Sequence, residues 1–160
     1  MKRSIWALGM LGAVLSAVGP GIAVADNCVA SSGDGYAKLS ANALQRLMNQ
    51  SMACYPAAGP PWTNQEYHPS NGSGGTITDY KKGPSDPKDP SKAIGTYSVI
   101  GTGSGGQITY SYTAGGTFVY TVWGTQSSGS GTYDFCNASL APLPGRVKII
   151  AQVGASPIAC

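Results

Sequence analysis

The sequence predicts a mainly β domain: a small antiparallel meander or barrel-like sheet of about six or seven strands with one short N-terminal helix, a β-sandwich being the alternative. Three observations point there. From Trp62 onward, Gly and Ser punctuate short runs rich in Tyr, Thr, Val and Ile, the texture of successive short strands. Ahead of them lies one stretch of helical periodicity, with Leu44, Leu47, Met48 and Met52 on one face. Four cysteines follow what reads as an export signal, as in a small domain braced by two disulfides.

The chain opens Met1-Lys2-Arg3, runs through an apolar stretch to Val18, and reaches a small-x-small cleavage site at Ala23-Val24-Ala25. The apolar run is about 15 residues, short of the ~20 that span a bilayer, and Gly19-Pro20-Gly21 breaks it, so a signal peptide (1–25) is preferred to an anchor. Cys28 follows Ala25-Asp26-Asn27, which lacks the apolar-small-small run that precedes a lipidated cysteine. Residues 26–160 then form a single domain of 135 residues, periplasmic or secreted, with no stable membrane insertion. Losing Lys2 and Arg3 leaves eight basic and seven acidic residues, net +1, which offers no footprint for nucleic acid.

Cys28, Cys54, Cys136 and Cys160 are separated by 26, 82 and 24 positions, with no CxxC and a single histidine, which argues against structural zinc and for disulfides. Of three connectivities, Cys28–Cys54 with Cys136–Cys160 is preferred, because the partners are near in sequence and each bridge ties down one chain end. Closing a loop of ~25 residues is worth roughly 3.5 kcal/mol.

Ser40 offers an N-cap for a helix from about Ala41 to Ala53, ended by Pro56 and Gly59-Pro60-Pro61. The expected strands are Trp62–Tyr67, Thr76–Lys81, Ile94–Ile100, Gln107–Tyr112, Thr117–Trp123, Thr132–Cys136 and Arg146–Val153. In the clearest hairpin Ile108, Tyr110 and Tyr112 share one face and Phe118, Tyr120 and Val122 another. Lys81 to Lys92, with Pro84, Pro87 and Pro90, reads as an exposed loop.

No catalytic, cofactor-binding or metal motif stands out. His68 could act as a base with Glu66 or Asp79, but a lone histidine at a strand end reads more readily as a surface residue. Glu66, the only Glu, could form a glycosidase-type pair with Asp79 or Asp134. Asp86 and Asp89 lack EF-hand spacing, and among Lys81, Lys82, Lys88 and Lys92 they read as a solvated polyampholyte. The aromatics say more. Nine Tyr against two Phe suits half-exposed sheet faces and recognition surfaces alike, and Trp62, Tyr110, Tyr112, Tyr120 and Trp123 are the candidate binding face.

The series Glu66-Tyr67-His68, Asp79-Tyr80-Lys81-Lys82-Gly83-Pro84, Gly95-Thr96-Tyr97, Thr109-Tyr110-Ser111-Tyr112 and Tyr133-Asp134-Phe135-Cys136 resembles small uncharacterised exported proteins of proteobacteria over roughly residues 40 to 136. That resemblance implies compartment and fold style and carries no activity. Thr102-Gly103-Ser104-Gly105 is similar to a loop of bacterial lysozyme inhibitors, although Gly106-Gln107-Ile108 stands where their basic and aromatic residues follow. Trp62-Thr63-Asn64-Gln65 resembles avidin-like barrels, but two tryptophans after the signal are too few for their ligand box.

The reading is a non-enzymatic exported binding or interaction protein whose partner is a protein, a glycan or a small molecule. The alternatives are a small periplasmic hydrolase using His68 with Glu66 or Asp79, and a lysozyme-inhibitor-like protein. Intact-mass analysis of the exported protein should give a chain beginning at Asp26; retention of residues 1–25 would overturn the cleavage site.

Overall fold

Strand alternation lets one face of every strand turn inward, and here the meander closes. The computed structural model describes residues 28–30, 34–79, 92–125, 129–151, 153 and 160; the signal segment and the Pro-rich stretch 80–91 lie outside the described residues. The elements in order are β1 (Ala37–Lys38), α1 (Ala41–Met48), β2 (Ser51–Tyr55), β3 (Asn64–His68), β4 (Gly74–Asp79), β5 (Lys92–Ile100), β6 (Gln107–Tyr112), β7 (Gly116–Gly124), β8 (Gly131–Cys136) and β9 (Val147–Ile150). Strands β2 to β9 pair antiparallel with their neighbours in sequence, and β9 pairs back onto β2. The result is an eight-stranded up-and-down barrel, with β1 added to β7 at Trp123 and Gly124. The seven expected strands are all present, and β1 and β2 raise the count to nine.

The helix begins as expected, with the Ser40 hydroxyl accepting from the Ala43 N–H at 3.2 Å. It ends at Met48, five residues before Ala53, because Asn49 and Gln50 (φ 47°) turn the chain into β2. Met52 lies four residues after Met48 and so continues the helical stripe in sequence. In the fold it packs outside the barrel with Cys54 and Tyr67. Leu44, Leu47 and Met48 pack with Val99, Ile108 and Ile149 in the main core, so the helix plugs one end of the barrel.

Several glycines are dictated by close approach, Gly72 and Gly95 among them. A Cβ on Gly72 (φ 87°) would overlap the Gln45 carbonyl of α1, and one on Gly95 would overlap the Ser111 carbonyl of β6.

The bridges differ from the preferred pairing: Cys28 joins Cys136 and Cys54 joins Cys160, with Cα–Cα separations of 6.3 and 5.8 Å. Proximity in a closed barrel is not proximity in sequence. Cys54 on β2 and Cys136 on β8 both face outward and flank β9, and each holds a cysteine from outside the barrel strands against the wall. Cys28 is also held by its N–H to the Leu140 carbonyl at 3.0 Å, and the Cys160 N–H donates to Gln65 Oε1 at 3.4 Å. The two loops span 108 and 106 residues. Bridges closing loops of that size are each worth about 4–5 kcal/mol in the chain-entropy model. Non-reducing peptide mapping should link Cys28 to Cys136 and Cys54 to Cys160, and Cys54→Ser/Cys160→Ser should lower the unfolding free energy by about 2–5 kcal/mol. A Cys28–Cys54 peptide would overturn this connectivity.

Candidate functional site

Pairing register fixes which side chains enter the barrel. On β2 and β3 the inward pairs are Ser51 with His68, Ala53 with Glu66, and Tyr55 with Asn64. On β6 and β7 they are Ile108 with Tyr120 and Tyr110 with Phe118, and β8 contributes Phe135 opposite Val122. At the end away from α1 these side chains do not meet. They leave a cavity of about 250 Å³. Its wall is aromatic: Tyr55, Tyr110, Tyr112, Phe118, Tyr120 and Phe135, with Ala53, Leu143 and Val147 between them and Asn64 and Glu66 as its polar groups besides the tyrosine hydroxyls.

The rings form a connected array. Tyr110 stacks on Tyr112 with centroids 5.9 Å apart, Phe118 meets Tyr112 edge-on at 6.0 Å and stacks on Tyr120 at 6.5 Å, and Tyr120 meets Phe135 edge-on at 6.0 Å. Tyr110 is buried deep in the array, whereas Phe118 is 43% exposed at the rim.

Glu66 sits in this wall, 6% exposed. Tyr112 donates its hydroxyl hydrogen between the two carboxylate oxygens, 3.1 and 3.0 Å away, and the Asn64 amide donates to Oε1 at 3.3 Å. Burial pushes the Glu66 pKa up, the hydrogen bonds from Asn64 and Tyr112 oppose it, and the nearby Asp79 adds to the rise. Burial, then the charge of Glu66, raise Tyr110, Tyr112 and Tyr120 above the ordinary tyrosine value.

Two residues along the same face, His68 is fully buried, correcting its reading as a surface histidine. It lies behind the cavity rather than in its lining, with the Tyr97 ring edge-on at 4.8 Å and the Tyr110 ring at 5.8 Å. Neither ring nitrogen makes a hydrogen bond of good geometry, nor does the Ser51 hydroxyl opposite it. Burial favours the neutral ring and outweighs the backbone of Ser51 and Glu66, so the pKa is lowered to about 4.

Of the five residues of the expected binding face, Tyr110, Tyr112 and Tyr120 come together in the cavity. Trp62 and Trp123 lie outside the barrel, beside the Cys54–Cys160 and Cys28–Cys136 bridges, and Trp123 stacks on Tyr36 at 6.0 Å. Of the acids weighed with Glu66, Asp79 is its partner in register on β4. Asp134 faces the other side of the wall, where it is bound by Tyr36 Oη at 2.7 Å and Arg146 Nε at 2.9 Å. Thr102–Gly105 forms an exposed turn at the helix-plugged end. Tyr55, Asn64, Phe118 and Phe135 extend the lining beyond the expected face, and of these Phe118 alone carries a sequence signal, its shared face with Tyr120. Among the described residues no three or more His, Cys, Asp and Glu side chains gather as metal ligands.

His68 gives the site a pH signature. Its folded pKa lies below the value of 6.5 expected of the unfolded chain, so its contribution is present above pH 6.5 and is lost as pH falls toward 4. Glu66 has a raised pKa and acts in the opposite direction, gaining on acidification. The unfolding free energy of wild type relative to His68→Gln should therefore fall by about 3 kcal/mol between pH 7 and pH 4, measured by urea unfolding. A difference independent of pH would mean that the ring is hydrated in the native state.

No family model matches this chain, and no curated protein or solved structure matches it, so the reading of the site rests on its own geometry.

Proposed function

We propose that this chain is a non-enzymatic binding protein that holds a small molecule in the open mouth of its barrel. The observation that carries the reading is the cavity of about 250 Å³, walled by six aromatic rings and containing one buried carboxylate. Barrel mouths are a common place for ligand sites, and apolar walls with a few converging polar groups are their usual chemistry. The size points to a compact ligand, since pockets for drug-sized molecules run from ~300 to ~1,000 Å³. The two disulfides fit an oxidising compartment, and no helix among the described residues is long and apolar enough to cross a membrane. Periplasmic or secreted placement after cleavage near Ala25 belongs to the same proposal.

The hydrolytic alternative has less support. It needs His68 to reach a substrate, and His68 is fully buried behind Tyr97 and Tyr110.

Filling the mouth tests the reading. In a nitrogen-15 NMR screen of a mixed small-molecule library, hits should shift amides of Glu66, Tyr112 and Tyr120, and Ala53→Phe, which projects a ring into the cavity, should abolish those shifts. Tyr110→Ala should cost about 3–5 kcal/mol of stability, because its ring is buried in the core, and Tyr120→Ala, at the half-buried rim, clearly less. Hits that shift only outer-face residues near Trp62 or Trp123 would overturn the assignment of the site.

A further inference from the structure

The cavity joins three features that select for charge. Its walls present aromatic rings, whose faces are electron-rich and attract cations. Its lining includes a buried carboxylate, Glu66, and, among the described residues, no Lys, Arg or His. Glu66 also keeps acceptor capacity. A carboxylate offers about four acceptor sites, and Tyr112 and Asn64 together supply two donors, the Tyr112 hydrogen being shared between both oxygens. Among the described residues the one ion pair is Arg146 with Asp134, on the outside of the wall, so Glu66 has no basic partner there. A buried carboxylate without a counter-charge is costly, and a cation arriving with its own N–H donors would supply both charge and hydrogen bonds.

We infer that the mouth binds a small organic cation, an ammonium group seated against Glu66 and among the faces of Tyr110, Tyr112 and Tyr120. This rests on the reading of the mouth as a ligand site and names the ligand class. An anion would meet Glu66 with like charge, and a neutral molecule would gain the rings alone. The hydroxyl of Tyr112 orients the carboxylate, and Phe118 at the rim covers the apolar part of the ligand. The pocket volume sets the scale at a single ring or a short chain beside the charged nitrogen.

Three isosteric probes separate the two levels of the proposal: benzylammonium, benzyl alcohol and benzoate, titrated at neutral pH into the oxidised full-length exported protein by nitrogen-15 NMR. Benzylammonium should bind about tenfold or more tighter than benzyl alcohol, with shifts at Glu66, Tyr112 and Tyr120, and benzoate should bind weakest. Glu66→Gln keeps an acceptor for Tyr112 and should reduce benzylammonium affinity about tenfold while leaving benzyl alcohol unchanged. If benzyl alcohol or benzoate binds in the mouth as tightly as benzylammonium, the cation assignment fails and the ligand site stands. If none of the three shifts the mouth residues of the folded protein, both the cation assignment and the site for compact ligands fail.

Discussion

The pairing of β9 with β2 is the constraint on which the rest depends. Without it the meander would leave two edges of unpaired backbone, and its inward face would open to solvent. The register sets Met52 opposite Ile150, Ala53 opposite Ile149 and Cys54 opposite Lys148. Because side chains alternate, this places Ala53 and Ile149 in the core and Cys54 outside, where Cys160 reaches it. A slip of one residue would turn Cys54 inward and Ala53 outward. The disulfides bracket this seam, one on β2 and one on β8, so the covalent staples guard the closure that the hydrogen bonds make.

Closure gives the interior two unlike ends. At one, α1 fills the bore with Leu44, Leu47 and Met48, which have no polar side-chain atoms to satisfy. At the other, tyrosines take the place of aliphatic residues. A tyrosine packs its ring against neighbours and carries a hydroxyl to a polar partner: Tyr112 to Glu66 at this end and, toward the helix, Tyr97 to Ser70 at 2.7 Å and Tyr133 to the Gly129 carbonyl at 2.8 Å. Six of the nine tyrosines, Tyr55, Tyr97, Tyr110, Tyr112, Tyr120 and Tyr133, lie in or against this core.

The fold class was legible because turn residues and alternation mark each strand from β3 onward, and the inward face of the β6–β7 hairpin follows from its period of two. Strand β2 was hidden because Met52 falls in phase with both a helix from Leu44 and the outward face of a strand. The closure and the bridges were hidden for one reason: contacts between the two ends of a ring leave no local trace in sequence. Half the site was legible as a tyrosine hairpin. The other half was not, because β3 inverts the usual pattern. In Asn64-Gln65-Glu66-Tyr67-His68 the polar set Asn64, Glu66 and His68 faces in, and Tyr67 faces out, packed with Met52 and Cys54 beside Val153 and Cys160.

That inversion is where folding logic alone falls short. An inward stripe of amide, carboxyl and imidazole pays a desolvation cost that Leu or Val would not. Burial shifts both ionisable members toward their uncharged forms, Glu66 upward and His68 downward, as expected of an acid and a base in one low-dielectric interior. Yet the two are not treated alike. His68 sits at the closed side, walled by rings and without a hydrogen bond of good geometry. Glu66 is held by Tyr112 and Asn64 in the lining of the cavity. A group oriented by two donors and left beside a cavity is poorly explained by packing, whose default there is an apolar side chain. The proposed cation site would account for it, because the same desolvation that makes the carboxylate costly would strengthen its grip on a cation that excludes water.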